Sequence, residues 1–397
     1  RPRRMKQSGV FLTRPMLVVT VALVGLNLRP FITSIGPLIA NIRTATGLSL
    51  QGIALLTLLP MMLMGIVAFV GPILQNYVGE RKAILGALLA ICGGCAVRFL
   101  FPTSEGLILS AIVIGFGVAM IQVAFPGMIK REFSQYIGPM MGLYSAMLMG
   151  GGALGAWLAP IISNITGVWS IGLAFFTIPA LFAFILALVF LPIKVSSSIH
   201  HAPVRKLLNQ SRTWLLMMCF GFVNGGYSSV VAWLAPSFQD QGWSAAQSGK
   251  LLALLALSQA ASALILPVLA RKYKDRRPWL WFTLAMQLVG FSGIAFIPDF
   301  ASMLWAICLG VGLGGCFALT LIVALDHFDE PTHAGALSAL MQGGGFLLAA
   351  IPPWIIAILH DLTGGYKAGW LFHLASVILV VILVIRLAPK SYFKMSL

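Results

Sequence analysis

The sequence predicts an all-α membrane protein with twelve transmembrane helices in two parallel six-helix repeats. Three observations predict it: a composition too apolar for a soluble surface, twelve apolar stretches of spanning length, and an internal repeat at a nearly constant offset. Of the 397 residues, 59% are hydrophobic and 9% are charged, and the mean hydropathy is +0.96. Soluble domains carry roughly 45–50% apolar and about 25% charged residues, so this chain lacks the charges to cover a soluble surface. The same figures exclude a disordered chain.

A spanning helix needs about 20 mostly apolar residues. Twelve stretches qualify: 15–41, 49–75, 83–101, 106–129, 137–164, 169–192, 213–238, 245–270, 279–297, 302–325, 335–359 and 367–388. None alternates with period two as a barrel strand does, and lipid admits only helices or closed barrels. The first stretch is too long for a cleavable leader and has no small-residue cleavage site. Arg1 to Arg4 precede Met5, which reads as the natural start.

The net charge of +16 is explained by where the cations lie. With a cytoplasmic N-terminus, the cytoplasmic segments hold all of the 26 Lys and Arg residues except Arg43, Arg98, Lys250 and Lys367 at outer loops or outer helix ends, and Arg29 within the first stretch. The positive-inside rule then places both termini of a multi-pass chain in the cytoplasm. The cations serve topology and contact with anionic lipid rather than nucleic acid. Lys250, one turn into the eighth stretch, is expected to snorkel outward.

The longest polar connection, Lys194 to Arg212, divides the stretches six and six. Ser145 to Pro160 in the fifth stretch aligns without a gap on Ser338 to Pro353 in the eleventh, at an offset of 193. Gly115-Phe116-Gly117 matches Gly310-Val311-Gly312, Gly47-Leu48-Ser49 matches Gly242-Trp243-Ser244, and Arg81-Lys82 matches Arg276-Arg277, all at 195. Six spans return the chain to the same side, so the duplicated units run parallel. The expected organisation is a tail at 1–14, a six-helix half at 15–192, a linker at 193–212, a second half at 213–388 and a tail at 389–397. The triplets Gly150-Gly151-Gly152 and Gly343-Gly344-Gly345 read as close helix packing or as sliding surfaces.

A charge inside a span costs about 2.5–3.5 kcal/mol on insertion scales and is a functional candidate for that reason. Arg29 is deep in the first stretch, and Pro30 after it removes a backbone donor and loosens the helix. Thr33 shares its helix face, with Asn27 to one side. All 10 acids fall in loops or at helix ends, so Arg29 has no mid-membrane carboxylate to pair with. An unpaired guanidinium facing a central cavity suits an anion; the alternative is a structural clamp onto backbone carbonyls. Further substrate-binding candidates are Gln122, Tyr144, Asn224, Tyr227, Trp233, Gln259 and Gln342, each also readable as interhelical glue or cavity wall. Asp326, His327 and His373 are candidates for gating or coupling, with helix capping and interhelical bonding as the plainer readings.

Several classes are excluded. The five cysteines sit in apolar runs, and Cys92 and Cys95 have no second pair, so neither a disulfide framework nor a metal site is expected. No phosphate-binding loop of an ATP-driven pump occurs. No paired catalytic groups lie at depth, so an intramembrane enzyme is not expected. No polar stretch is long enough for a soluble signalling domain, which speaks against a receptor. Without membrane carboxylates, coupling is expected as facilitated diffusion, exchange, or proton movement through His or the substrate itself.

Particular motifs carry a resemblance. They are Asn27-Leu28-Arg29-Pro30, Ile129-Lys130-Arg131, Leu148 to Gly152, Asn224-Gly225-Gly226-Tyr227, Ala324-Leu325-Asp326-His327 and Met341-Gln342-Gly343. Over nearly its whole length the chain resembles the cyanate transporter (CynX type) branch of the major facilitator superfamily, which also includes 2-nitroimidazole transporters. The resemblance implies the major facilitator fold, substrate held between the halves at mid-membrane, and rocking of the halves for alternating access. It implies no cofactor, a small anion or small polar molecule as substrate, and a monomer in the bilayer. The superfamily's loop signature is degenerate after the second span, where only Gly79, Arg81 and Lys82 match its end. Arg271, Lys272, Asp275, Arg276 and Arg277 keep a related loop in the second half, which makes Arg81 and Asp275 the gating candidates there. The runner-up reading is an exporter of small heteroaromatic compounds using Tyr144, Tyr227 and Trp233.

Overall fold

The structure is a computed structural model that describes residues 4–133, 135–193 and 204–395. Residues 194–203 of the expected linker and the ends of both expected tails lie outside the described residues. Among the described residues, twelve helices are long and apolar enough to cross a membrane. Spans 1 to 6 are Arg14–Thr46, Leu50–Val78, Glu80–Leu100, Ser104–Ile129, Pro139–Thr166 and Trp169–Phe190. Spans 7 to 12 are Ser211–Gln239, Ala245–Ala270, Arg277–Phe296, Ser302–Asp326, His333–Thr363 and Lys367–Val384. The expected fold class stands, and each span lies within a few residues of the stretch that predicts it.

The repeated motif Gly-x-Ser is a helix start. Gly47 and Gly242 have φ of 73° and 97°, a left-handed turn that a side chain resists. Two residues later Ser49 accepts from Gly52 N at 3.1 Å, and Ser244 accepts from Gln247 N at 3.1 Å. Each serine satisfies a donor that the first helical turn leaves open. The offset of 195 thus repeats one device at the start of spans 2 and 8.

The halves meet along two seams, span 5 against span 8 and span 2 against span 11, with span 1 facing span 7 between them. Burial sorts the spans by position. In span 7, 83% of the most apolar window is inside the protein, against 28% in span 6, so span 7 is central and span 6 lies at the lipid-facing edge.

Span 1 is not one helix. Its first piece is Arg4–Leu26, followed by a turn, a short helix Pro30–Thr33, a 3-10 turn Gly36–Leu38 and a final helix Ile39–Thr46. Pro30 is the cause: it has no N–H for the Leu26 carbonyl, and its ring crowds that carbonyl. A glycine-lined face of span 5 closes over the break. A Cβ on Gly151 would run into the Leu26 carbonyl oxygen, and one on Gly155 would lie 2.6 Å from Pro30 Cα. In span 11 the break falls at Ala350–Ile351, just before Pro352 and Pro353 open a new helix. Pro160, the repeat partner of Pro353, lies inside the unbroken helix Ile137–Thr166. The second triplet also packs: Gly345 meets Phe220, and a Cβ on Gly343 would lie 2.8 Å from Phe69.

A sharp packing test follows from these contacts. Gly151→Ala forces span 5 off the Leu26 carbonyl and is expected to cost about 1–3 kcal/mol as overpacking. Gly150 has nothing within 4 Å, so Gly150→Ala is expected to be neutral or to stabilise by about 0.5–1 kcal/mol. Thermal unfolding of the two variants in the same detergent checks the difference.

Candidate functional site

Arg29 sits in the turn that opens the short helix Pro30–Thr33, partway along span 1, which runs Arg14–Thr46. It is 3% exposed. Among the described residues it makes no ion pair with a carboxylate. Its partners are neutral. With the Gln122 amide oxygen turned towards it, Arg29 donates from Nη2 at 3.0 Å and from Nη1 at 3.1 Å; that orientation is assigned by the hydrogen bonds it allows. The Tyr227 hydroxyl, from span 7 in the opposite half, lies close enough to the guanidinium to feel its charge. Tyr144 from span 5 lies in the field of Arg29, and its buried hydroxyl has no partner among the described residues. Its ring stacks on Phe125 with centroids 5.6 Å apart and planes 20° apart.

Spans 1, 4, 5 and 7 therefore bring Arg29, Gln122, Tyr144 and Tyr227 together. The site carries one positive charge, an amide and two phenol groups. Neutral hydrogen bonds soften the desolvation of a guanidinium but leave its charge uncompensated.

The other candidates are engaged elsewhere. Asn27 donates to Leu23 O at 2.7 Å and to Pro179 O at 3.2 Å, which ties span 1 to span 6 on the side away from the other half. The Thr33 hydroxyl donates to Arg29 O at 3.3 Å within the break. The Asn224 amide donates to Phe220 O of its own helix at 2.8 Å. Trp233 is fully buried and donates to Pro353 O at 2.8 Å, locking span 7 to span 11. Gln259 is buried where Gly310 and Gly314 of span 10 approach its backbone. Gln342 donates to Ser338 Oγ at 3.3 Å. His373 Nε2 lies 2.6 Å from Ser229 Oγ and its ring stacks on Phe291, inside the second half.

One residue counted with the outer helix ends has a role that its place did not show. Arg98 does stand in the last turn of span 3, yet it is 0% exposed. It donates from Nη1 to Phe31 O at 2.9 Å and from Nε to Ser110 Oγ at 3.1 Å. Arg29 is thus not the only guanidinium within the bundle. The available signal was that residue 98 falls inside the stretch 83–101 rather than after it.

This cationic, carboxylate-free site at the seam of two six-helix halves agrees with what the chain is similar to. The family description that matches is Major Facilitator Superfamily, over residues 17–350 and 214–396. The chain belongs to the major facilitator superfamily. The cyanate transport protein CynX of Escherichia coli K12 is 43% identical over 380 residues, covering 95% of this chain and 98% of that protein. The 2-nitroimidazole transporter of the same organism is 30% identical over 364 residues, covering 89% and 90%. A crystal structure of a D-xylose–proton symporter superposes with a TM-score of 0.77 at 14% identity, covering 96% of this chain and 99% of that one. That likeness speaks to the fold alone. The chain is a multi-pass membrane transporter, and the relatives named are transporters rather than enzymes.

In this major facilitator chain the ends of the bundle differ. Among the described residues, the hydrogen bonds between the halves away from Arg29 lie at the end opposite the termini: Gln51 to Asp361 at 3.1 Å and Gln239 to Pro37 O at 2.9 Å. At the end that carries the termini, the ion pairs stay within one half. Glu80 holds Arg131 at 2.7 Å, and Asp326 holds Arg276 at 3.2 Å. At the offset of 195 Asp326 stands where Arg131 does, while Arg276 matches Arg81 rather than Glu80. Arg81 donates to Leu191 O at 2.8 Å and Leu188 O at 2.6 Å, capping span 6. Asp275 binds Arg277 at 2.9 Å, and that bond holds its carboxyl below the usual range.

His327 Nδ1 lies 2.7 Å from Val323 O, and its ring rests on Tyr392 at 4.1 Å. Burial, helped by the nearby Arg212 charge, pushes it down from 6.5 to about 4. The unfolded chain therefore takes up a proton near pH 6.5 that the folded chain refuses until near pH 4. The histidine's contribution is intact above pH 6.5 and is lost as pH falls towards 4. His327→Gln is expected to flatten that part of the stability profile, as measured by melting temperature in detergent from pH 7.5 to about 4.

Proposed function

We propose that the chain moves a small, cyanate-like anion across the bacterial inner membrane by alternating access, with both termini in the cytoplasm. The observation that carries the reading is the buried Arg29 guanidinium with neutral partners only. An anion placed there removes the uncompensated charge, and the guanidinium offers it a planar fork of donors. The Tyr144 hydroxyl supplies a further donor from the same half, and Tyr227 one from the other. A ligand touching Arg29 and Tyr227 together therefore bridges the halves. The name of the 43% identical relative, a cyanate transport protein, supports the choice of anion. No carboxylate is given a coupling role, because the acids stand in loops or at span ends.

A second reading has its own support. The Phe125–Tyr144 stack gives the site a flat aromatic wall, and another relative is named a 2-nitroimidazole transporter. In that reading Arg29 binds a nitro group and the wall holds the ring.

Uptake of labelled cyanate into proteoliposomes separates the readings, with nitrate, acetate and 2-nitroimidazole as competitors and with and without a pH gradient. Arg29→Ala is expected to abolish saturable uptake. Arg29→Lys keeps the charge without the fork and is expected to lose about 10- to 100-fold in uptake efficiency, the scale of one or two charge-assisted hydrogen bonds. Normal cyanate uptake by both variants would sink the anion reading. Competition by 2-nitroimidazole alone would favour the second.

Alternating access has a separate check. Gln51 and Asp361 touch across the halves at the end opposite the termini, and the native cysteines are all buried. Cross-linking a Gln51→Cys, Asp361→Cys double variant is expected to stop uptake, and reduction to restore it. Uptake that continues at full rate in the cross-linked protein would contradict rocking of the halves.

A further inference from the structure

Arg98 is a guanidinium placed where neither topology nor anion binding asks for one. It stands in the last turn of span 3, wholly buried, with Nη1 on Phe31 O, Nε on Ser110 Oγ, and Nη2 without a partner among the described residues. Ser110 is held in turn, its hydroxyl donating to Leu107 O at 2.6 Å. Arg98 thus spans three elements: the end of span 3, the start of span 4 and the broken part of span 1.

What it grips is the segment that carries Arg29. Phe31 belongs to the short helix Pro30–Thr33, and Arg29 is its capping residue. Ile32 N and Thr33 N both donate to Arg29 O, at 3.1 and 3.2 Å, so Arg29 and Phe31 move as one unit. A helix of this length cannot hold itself, because each turn fixes several dihedral angles for one hydrogen bond. On one side it rests against Gly152 and Gly155 of span 5. On the other, Phe31 O is fixed by Arg98.

We propose that Arg98 is a positioning residue for substrate: by holding Phe31 O and Ser110 together it sets the orientation of the broken segment and so aims Arg29 into the site. The inference rests on the anion reading of Arg29. It explains why an arginine stands at position 98. Its rigid fork reaches a carbonyl and a hydroxyl in different directions, whereas a lysine offers one nitrogen to both. Without it, a buried carbonyl seeks another donor, and the four-residue unit turns to find one.

The test uses the full chain reconstituted in proteoliposomes, with labelled cyanate as the probe. Arg98→Met is expected to raise KM about tenfold with Vmax within about twofold, as when a binding group is misaimed and the carrier still cycles. Arg98→Lys is expected to fall between Arg98→Met and the unaltered chain. Ser110→Ala, which removes one anchor and disturbs folding least, is expected to raise KM about twofold to threefold. A fall in Vmax with KM unchanged would mean a purely structural role and would overturn the proposal. If Arg98→Met does not fold, the KM values of Arg98→Lys and Ser110→Ala decide.

A second arm is independent of cyanate. Arg29→Cys is modified with a charged methanethiosulfonate reagent, alone and combined with Arg98→Met or Ser110→Ala; the native cysteines are buried and serve as the background. A change of about fivefold or more in modification rate at position 29 supports positioning; an unchanged rate overturns it. Should the unaltered chain show no saturable cyanate uptake, the anion reading fails by itself, and this arm still decides what Arg98 does to residue 29.

Discussion

The missing N–H of Pro30 is the constraint on which the proposed substrate site depends. In lipid a backbone carbonyl without a donor has no water to turn to. The Leu26 carbonyl is left in that position, and span 1 breaks there. Everything near the break answers it. Gly151 lets the backbone of span 5 come up against the freed carbonyl, a contact of the Cα–H···O kind. Gly155 makes room for Pro30 and Thr33. The same break turns Arg29 out of a regular helix and into the seam between the halves. A straight span 1 would keep its hydrogen bonds and would have no need of this glycine face.

Charge bookkeeping inside the bundle is the second constraint. Two buried guanidinium groups, Arg29 and Arg98, stand in a chain whose acids lie in loops and at span ends. They are treated differently. Arg98 is spent on a backbone carbonyl and a serine, both fixed by the fold. Besides a long 3.5 Å bond to the neighbouring Leu28 O, Arg29 meets the ends of side chains, Gln122 and Tyr227, which turn without disturbing the backbone. A ligand can displace side-chain ends far more readily than a backbone carbonyl. That contrast separates a cation that holds its neighbours in place from one suited to binding a ligand.

The spans, the duplication and the break at Pro30 were legible in the sequence because each is written locally: in apolar length, in matching motifs and in a proline beside a polar run. The contents of the site were legible only in part. Arg29, Gln122, Tyr144 and Tyr227 do converge, but Asn27 is two residues from Arg29, about 200° around a helix, and points to Pro179 of span 6. Trp233 and His373 were marked by chemistry alone; their partners, Pro353 O and Ser229, are more than a hundred residues away and identify themselves only once the spans are packed. Arg98 was placed rightly, in the last turn of its span, but its burial was not legible. An arginine in the last turn of a span reads as one that reaches outward, and nothing near it in the chain announces that Phe31 O waits behind it.

The duplication has not kept the halves alike where they meet. At the offset of 195, Arg29 corresponds to Asn224, whose amide is satisfied by its own helix at Phe220 O. The first half supplies the charge, and the second supplies Tyr227, a neutral hydroxyl. Span 5 carries Pro160 within a continuous helix, while span 11 breaks before Pro352 and Pro353. A site built this way holds its ligand mainly from one side. In the rocking motion proposed above, the anion stays with Arg29 in the first half, and the contact that is made and broken is the single one to Tyr227. A neutral hydroxyl is suited to that task, because releasing it strands no second charge in the membrane. Two symmetric arginines would bind an anion more tightly and, with the ligand gone, would leave like charges facing each other across the seam.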